Sequence, residues 1–338
     1  MSELYNTVAI MESRLSKNPV ASVLMPVLNE DPGMLEKAIS SILQQSFPDF
    51  EFIIVDDGSD RAETGAVLER WVQKDSRIRL IKEHHRGVYK ALNIGLLQCR
   101  GEFVVRQDSD DWSEPDRLSI QIAFLRSHPE IAIAGSYTMT HQQDGKPLWV
   151  WTFPTTSADL AAVFPIRMAF CSPAVCFRRL EMAAIGGYRE ELPYCQDYDG
   201  YWRLADRSGG ANLSQVLYHY RFTLKSISTS KSREQERCTA IIRELGLMRR
   251  KGEPEDLESA IHRIDAWRAE NAVETDLLHH ADYTMLSGAY MKSLKLYLRS
   301  VCIKPLSAKT WLKLVRWVVF TSLPPLRKTV FQAGFRTP

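Results

Sequence analysis

The stretch "VVRQDSDDWSEPDRL", Val104 to Leu118, decides the fold. An apolar run of strand character ends there in three carboxylates, Asp108, Asp110 and Asp111. Carboxylates crowded at one strand end repel one another, and a bound cation is the usual remedy. Upstream, "PVASVLMPVLNE" reads as a buried strand from Val20 to Val27 that stops at a polar turn. Asp31 then suits an N-cap with Pro32 at the first helical position, and Leu35, Ala38, Ile39, Ile42 and Leu43 recur at helical spacing. A second strand, "FEFIIVDDGSD", ends in carboxylates and a glycine turn. A helix carrying Val67, Leu68, Trp71 and Val72, a strand at Ile78 to Ile81 and a helix near Val88 to Leu97 lead back to "GEFVVRQ". This alternation predicts right-handed βαβ units, an α/β domain with a mostly parallel sheet flanked by helices. Ligands of such sheets sit at the carboxyl ends of the strands, where Asn29, Asp56, Asp57, Asp108, Asp110 and Asp111 all fall.

The 338 residues are long enough for one large domain plus an appendage. Their net charge of +2 hides an asymmetry: from Tyr283 onward there are ten basic residues and no acidic one, which leaves −8 on the first 282. Nothing in this balance suggests a nucleic-acid partner. Six scattered cysteines without a CxxC pair suggest neither a zinc knuckle nor a disulfide framework, so a reducing compartment fits. No signal peptide and no spanning apolar run is evident, which predicts a cytoplasmic protein, or one attached to a membrane from the cytosolic face. Beyond Asp116 the pattern loosens to a helix ending near Ser127, a strand at Ile131 to Tyr137 and an aromatic strand "PLWVWTF". From about Ser232 the signal is helical, broken at "KGEPED".

Six blocks in order, "ASVLMPVLNE", "FEFIIVDDGSD", "RGVYKALNIGL", "GEFVVRQDSDDWSEPDRL", "IGGYREEL" and "CQDYDGYWRLAD", resemble family 2 inverting glycosyltransferases of the GT-A fold over roughly residues 20 to 230. The resemblance implies the GT-A nucleotide-diphospho-sugar transferase fold with a helical C-terminal extension. It divides the chain into an N-terminal extension (1–19), the transferase domain (20–230) and a helical region with a basic amphipathic tail (231–338).

By family position, "DSDD" is the DXD element that holds Mg²⁺ or Mn²⁺ against a sugar-nucleotide diphosphate and neutralises the leaving group. Asp110 is then the main metal ligand, Asp108 a second ligand near the ribose, and Asp111 a support. Asp57, supported by Asp56, maps to the carboxylate that contacts the nucleotide base, and a carboxylate accepting an N–H from a pyrimidine edge favours uridine. Pro26, Asn29, Arg86 and Gly187 complete the implied nucleotide-sugar contacts. Leu28 stands where relatives often stack an aromatic on the base. Asp197 maps to the base that takes the acceptor hydroxyl's proton, with Gln196 replacing the usual Glu. The third metal ligand of relatives, often a histidine, aligns with Thr223, and His219 lies nearby.

Other features read as structural. His84 and His85 have no matching ligands, Asp199 reads as a surface or helix-start residue, and Trp149 and Trp151 fit a half-buried strand or a sugar platform. Gly186 and Gly187 suit either a backbone approach to sugar or a plain turn. Arg106 is a further phosphate candidate. The tail "WLKLVRWVVFTSLPPLRK" mixes Trp311, Trp317 and Phe320 with Lys313 and Arg316, as an amphipathic helix on an anionic membrane does, or a terminal helix docked on protein. The expected activity is metal-dependent transfer of a sugar from a nucleotide-sugar donor, UDP-linked by preference, to a glycan or lipid-linked glycan acceptor. The alternative is a non-catalytic nucleotide-sugar-binding scaffold at the membrane. A nucleotidyltransferase lacks its Gly-rich phosphate loop here, and a dehydrogenase its GxGxxG.

Overall fold

The structure, a computed structural model, describes residues 18–222, 231–270, 278, 281, 290–303 and 307–322. The chain divides into two compact units at Ser230/Lys231. In the first, the strands are β1 (Ala21–Val27), β2 (Phe50–Asp56), β3 (Ile78–Lys82), β4 (Phe103–Arg106), β5 (Trp112–Ser113), β6 (Ile133–His141), β7 (Pro147–Trp151), β8 (Cys176–Arg178) and β9 (Gly210–Arg221). Its helices are α1 (Pro32–Leu43), α2 (Ala62–Lys74), α3 (Val88–Gln98), α4 (Arg117–Ser127), α5 (Ser157–Val163), α6 (Arg179–Ala184) and α7 (Gln196–Ser208).

One sheet runs β3-β2-β1-β4-β8-β6-β9-β5, with β7 added to β6. Its first half is parallel, as the βαβ pattern predicts. Past β4 the pairs are antiparallel except β6 with β9. Every residue of β1 and β2 is buried, because helices cover both faces and continuous apolar runs are then required. Leu35, Ile39 and Ile42 of α1 pack into the same core, each contributing about 1.5–3 kcal/mol by burial. Asp31 caps α1 as expected, accepting from Gly33 N at 2.9 Å and Met34 N at 3.2 Å. Strand β6 runs past the predicted end at Tyr137 to His141, because β7 and β9 pair with its extension.

The two ends of the parallel strands differ in chemistry. At the amino end Glu51 is buried yet bonded by Ser22 Oγ and Arg100 N, both at 2.7 Å, and by Arg79 Nη1 at 3.1 Å. Burial alone would raise its carboxyl, but the bonds from Arg100, Ser22 and Arg79 outweigh it and hold Glu51 below its ordinary value. At the carboxyl end Asp110 is not matched in this way.

The second unit is helical: α8 (Ser232–Arg250), α9 (Leu257–Glu270), α10 (Tyr290–Ile303) and α11 (Ala308–Ser322). Leu278, Ala281 and Tyr297 form its buried apolar cluster, with Leu296, Leu314 and Trp317 packed against it. Among the described residues no helix is long and apolar enough to cross a membrane.

Candidate active site

The acidic loop joins β4 to β5. Ligand oxygens of Asp108, Asp110 and Asp111 lie within 4.8 Å of one another. Asp108 Oδ1 accepts from Arg106 Nη2 at 2.7 Å, and the same buried guanidinium donates to Leu24 O and Gln107 O. Arg106, a phosphate candidate by sequence, is therefore turned inward and neutralises Asp108 instead. Asp111 is fully buried, taking Tyr218 Oη–H on Oδ2 at 3.0 Å and Arg221 N on Oδ1 at 2.6 Å. Asp110 is half-buried, and among the described residues its carboxylate accepts only from its own backbone N–H.

A fourth carboxylate joins them. Glu30, at the end of the first loop, takes Ser109 Oγ on Oε2 at 3.0 Å. Burial raises its carboxyl, and Asp108 adds to the effect. Burial, then the charges of Asp108 and Glu30, push Asp110 up to about 7 against the pull of Arg221. A cluster of hard oxygens short of positive charge fits a divalent cation, with Asp110 best placed to ligate and Asp108 beside it. A divalent cation held by Asp110 would have to displace a proton near neutral pH, so Mn²⁺ affinity is expected to fall as pH drops through about 7. The linkage for stability runs the opposite way: a folded-state value above the unfolded one stabilises the cation-free protein at low pH, and that contribution is lost as pH rises through about 7. Mn²⁺ titrations at pH 6 and 8 check the first statement; equal affinities would contradict it.

The loops after β1 and β2 form the adjoining wall. Asn29, at φ 51°, accepts Asp60 N and Arg61 N on its side-chain oxygen at 3.0 and 2.9 Å and donates its own N–H to Ser59 Oγ. Asp56 accepts Ser59 N at 2.9 Å. Asp57 takes Arg86 N on Oδ1, Gly87 N on Oδ2 and pairs with His85 Nδ1 at 3.0 Å. His85, without a matching ligand by sequence, is thus the partner of Asp57. Gly58, at φ 85°, is required, because a Cβ there would lie 2.6 Å from His85 N. Pro26 is buried in β1 opposite Val55, while Leu28 and Arg86 are exposed at the mouth.

Asp197 lies in the first turn of α7, half-buried, accepting Tyr198 N at 2.9 Å. Burial raises its carboxyl; bonds from Ser172 and Tyr198 N and the charge of Arg106 oppose this, and Asp108 reinforces it. Asp197 and Asp108 therefore share Arg106 as a neighbouring charge. Asp199 is not a surface residue: it is buried between Arg189 at 3.1 Å and Arg203 at 2.7 Å, which no spacing rule along a helix start reveals. Gln196 is buried, and its Oε1 has no hydrogen-bond partner among the described residues. Gly187, at φ 71°, packs on α3, where a Cβ would meet Asn93 Oδ1 at 2.9 Å. His219 is engaged by Glu114 at 2.5 Å and His141 at 2.9 Å and stacks on Trp112, and among the described residues the acidic cluster that could hold a metal ion consists of the three aspartates. Thr223 lies outside the described residues.

Sequence reasoning missed Glu30, Tyr218, Arg117 and Arg221. Arg117 is fully buried without a carboxylate partner among the described residues, donating to Arg106 O, Pro173 O, Val175 O and Gln121 Oε1. The only signal was an arginine at the start of an apolar helix in "PDRL".

A parallel half-sheet extended by a mixed half, with a DXD-like cluster at the carboxyl edge of β4, defines the GT-A class of nucleotide-sugar-dependent transferases. The sequence profile of Glycosyl transferase family 2 matches residues 22–183. The amylovoran biosynthesis glycosyltransferase AmsE of Erwinia amylovora is 31% identical over 202 residues, 59% of this chain and 75% of that protein. A UDP-Gal:alpha-D-GlcNAc-diphosphoundecaprenol beta-1,3-galactosyltransferase of Escherichia coli is 30% identical over 207 residues, 61% and 75% of the two chains. Among solved structures, the mannosyltransferase PcManGT of Pyrobaculum calidifontis, in complex with GDP-Man and Mn²⁺, aligns with a TM-score of 0.56 at 16% identity, covering 94% of this chain and 85% of that one. TarS 1-349 of S. aureus, in complex with UDP-GlcNAc, aligns at 0.55 and 18% identity, covering 94% and 89%. The structural likenesses show the fold. The chain belongs to glycosyl transferase family 2 and is a glycosyltransferase.

Proposed function

We propose that residues 20–230 form the catalytic domain of a metal-dependent inverting transferase that moves a sugar from a UDP-sugar to a hydroxyl of a glycan or lipid-linked glycan in surface polysaccharide assembly. The observation that carries this reading is the cluster of Asp108, Asp110 and Asp111, joined to Asp197 through Arg106, which bonds Asp108 and acts as a neighbouring charge on Asp197. Asp110 and Asp108 would hold Mg²⁺ or Mn²⁺, which neutralises charge developing on the diphosphate leaving group. Arg106 tempers the charge of Asp108 from below. Asn29, Asp56 and Asp57 fix the loops on which Leu28 and Arg86 face the nucleotide. Asp197, ionised, takes the proton of the attacking acceptor hydroxyl. The names of the relatives support UDP as donor and a polysaccharide or undecaprenyl-linked acceptor. A screen of UDP- and GDP-sugars for nucleoside diphosphate release, with Mn²⁺ and with EDTA, tests it. Mn²⁺-dependent release from a UDP-sugar is expected. Binding without release from any donor would favour the scaffold reading, and release untouched by EDTA would remove the cation from the account.

The same reading sets the basic helices α10 and α11 on the cytosolic face of a membrane. In α10, Met291, Leu298 and Ile303 are exposed beside Lys292, Lys295 and Arg299; in α11, Trp311, Leu312, Val315 and Val318 are exposed beside Lys309. The lysines and arginines suit anionic headgroups and the apolar side chains the layer beneath them. The full chain is expected to cosediment with anionic vesicles and to be partly released by salt, since each basic residue contributes roughly 1 kcal/mol that screening removes. Equal binding to neutral vesicles, or none to either, would return these helices to a docked role.

A further inference from the structure

We propose that Tyr218 is the positioning residue of the acidic loop, setting the cation affinity of Asp108 and Asp110 without touching the cation. Its hydroxyl donates to Asp111 Oδ2 at 3.0 Å and accepts from Asp108 N at 3.1 Å and Gln107 Nε2 at 3.4 Å. A phenol has one donor and two acceptor sites, so three bonds saturate it, and all three end on the loop. The ring is fully buried, with the Arg117 guanidinium carbon 4.8 Å from its centre. Arg117 in turn donates to Arg106 O at 2.8 Å, Ser113 Oγ at 3.0 Å and Gln107 Oε1 at 3.3 Å, so it grips the loop where it leaves β4 and where it enters β5. The other oxygen of Asp111 takes Arg221 N, three residues further along β9. Asp111 is therefore an anchor held on both oxygens by one strand, and the spacing from it to the backbone of Asp108 is measured by a single oxygen atom. Removing that oxygen leaves Asp108 N and Asp111 Oδ2 unpaired in a buried loop, and the carboxylates between them lose their fixed separation.

The inference rests on the cation reading above, and the test separates the two. Mn²⁺ alone is titrated into wild type and Tyr218→Phe, free Mn²⁺ being read by its paramagnetic resonance signal, with thermal unfolding followed in parallel. Outer residues that orient metal ligands typically change affinity by about 10–100-fold. The variant is expected to bind Mn²⁺ about tenfold or more weakly while remaining folded. Unchanged affinity, with or without a lowered unfolding temperature, would make Tyr218 a packing residue and overturn the proposal. If Tyr218→Phe does not fold, Ser113→Ala decides: its hydroxyl bridges Gln107 Oε1 at 2.7 Å and Arg117 Nη1, and its loss is expected to weaken Mn²⁺ severalfold, no change overturning the proposal. Wild type that fails to bind Mn²⁺ would sink the cation reading and this inference together.

Discussion

Asp110→Asn is expected to abolish Mn²⁺-dependent UDP binding while leaving the cation-free protein at least as stable as wild type. The two halves of this result have one cause. Asp110 sits among Asp108, Asp111 and Glu30, and burial and like charge push it up to about 7. Its ionised form is thus a cost to the cation-free fold, which an amide of the same shape removes at any pH above that value. The same charge is what a divalent cation needs, so withdrawing a direct ligand is expected to cost more than the roughly 10–100-fold lost when an outer residue that orients the ligands is changed. Calorimetry with UDP and Mn²⁺, beside thermal unfolding in EDTA, checks both halves. UDP and Mn²⁺ bound as tightly as by wild type would reassign the ligand.

Asp197→Asn is expected to separate binding from transfer. The amide keeps the shape of the first turn of α7, so Mn²⁺ and UDP should bind normally, whereas transfer should fall by roughly 10²- to 10⁴-fold, the usual contribution of a general base. The pH profile carries a second signature. Burial raises the Asp197 carboxyl, and only the ionised form accepts a proton, so wild-type transfer should decline as pH falls through a value above the ordinary aspartate range. Near-normal transfer by the variant would place the base elsewhere. Asp199 is excluded from that role, since Arg189 and Arg203 occupy its two oxygens.

Much of this site was legible in the sequence because its carriers are strands and the turns that end them. The apolar runs of β1, β2 and β4 must be buried on both faces, and their polar termini must emerge at one edge; that alone brings Asn29, Asp57 and Asp108 together. The helix after β1 was equally plain, since Asp31 and Pro32 act through local geometry. What was not legible is long-range pairing between polar groups. Arg106 could serve a phosphate or an internal carboxylate, and only the position of Asp108 and the carbonyl of Leu24 decides for the interior. Asp199 could be solvated or buried, and the choice lies with Arg189 and Arg203. Tyr218 reaches Asp111 across 107 positions of chain, because β5 and β9 are neighbours in the sheet, which no periodicity in either segment discloses.

The mechanism we propose is a single in-line displacement in which Asp197 activates the attacking oxygen opposite a cation-held diphosphate. Without an acceptor, water can take the place of the hydroxyl, and the first-formed sugar reports the stereochemistry. Proton magnetic resonance of the anomeric signal during Mn²⁺-dependent hydrolysis of an α-linked UDP-sugar tests the claim most directly. The β-anomer should appear first and the α-anomer only by later mutarotation; an α-anomer released first would contradict inversion and with it the role of Asp197.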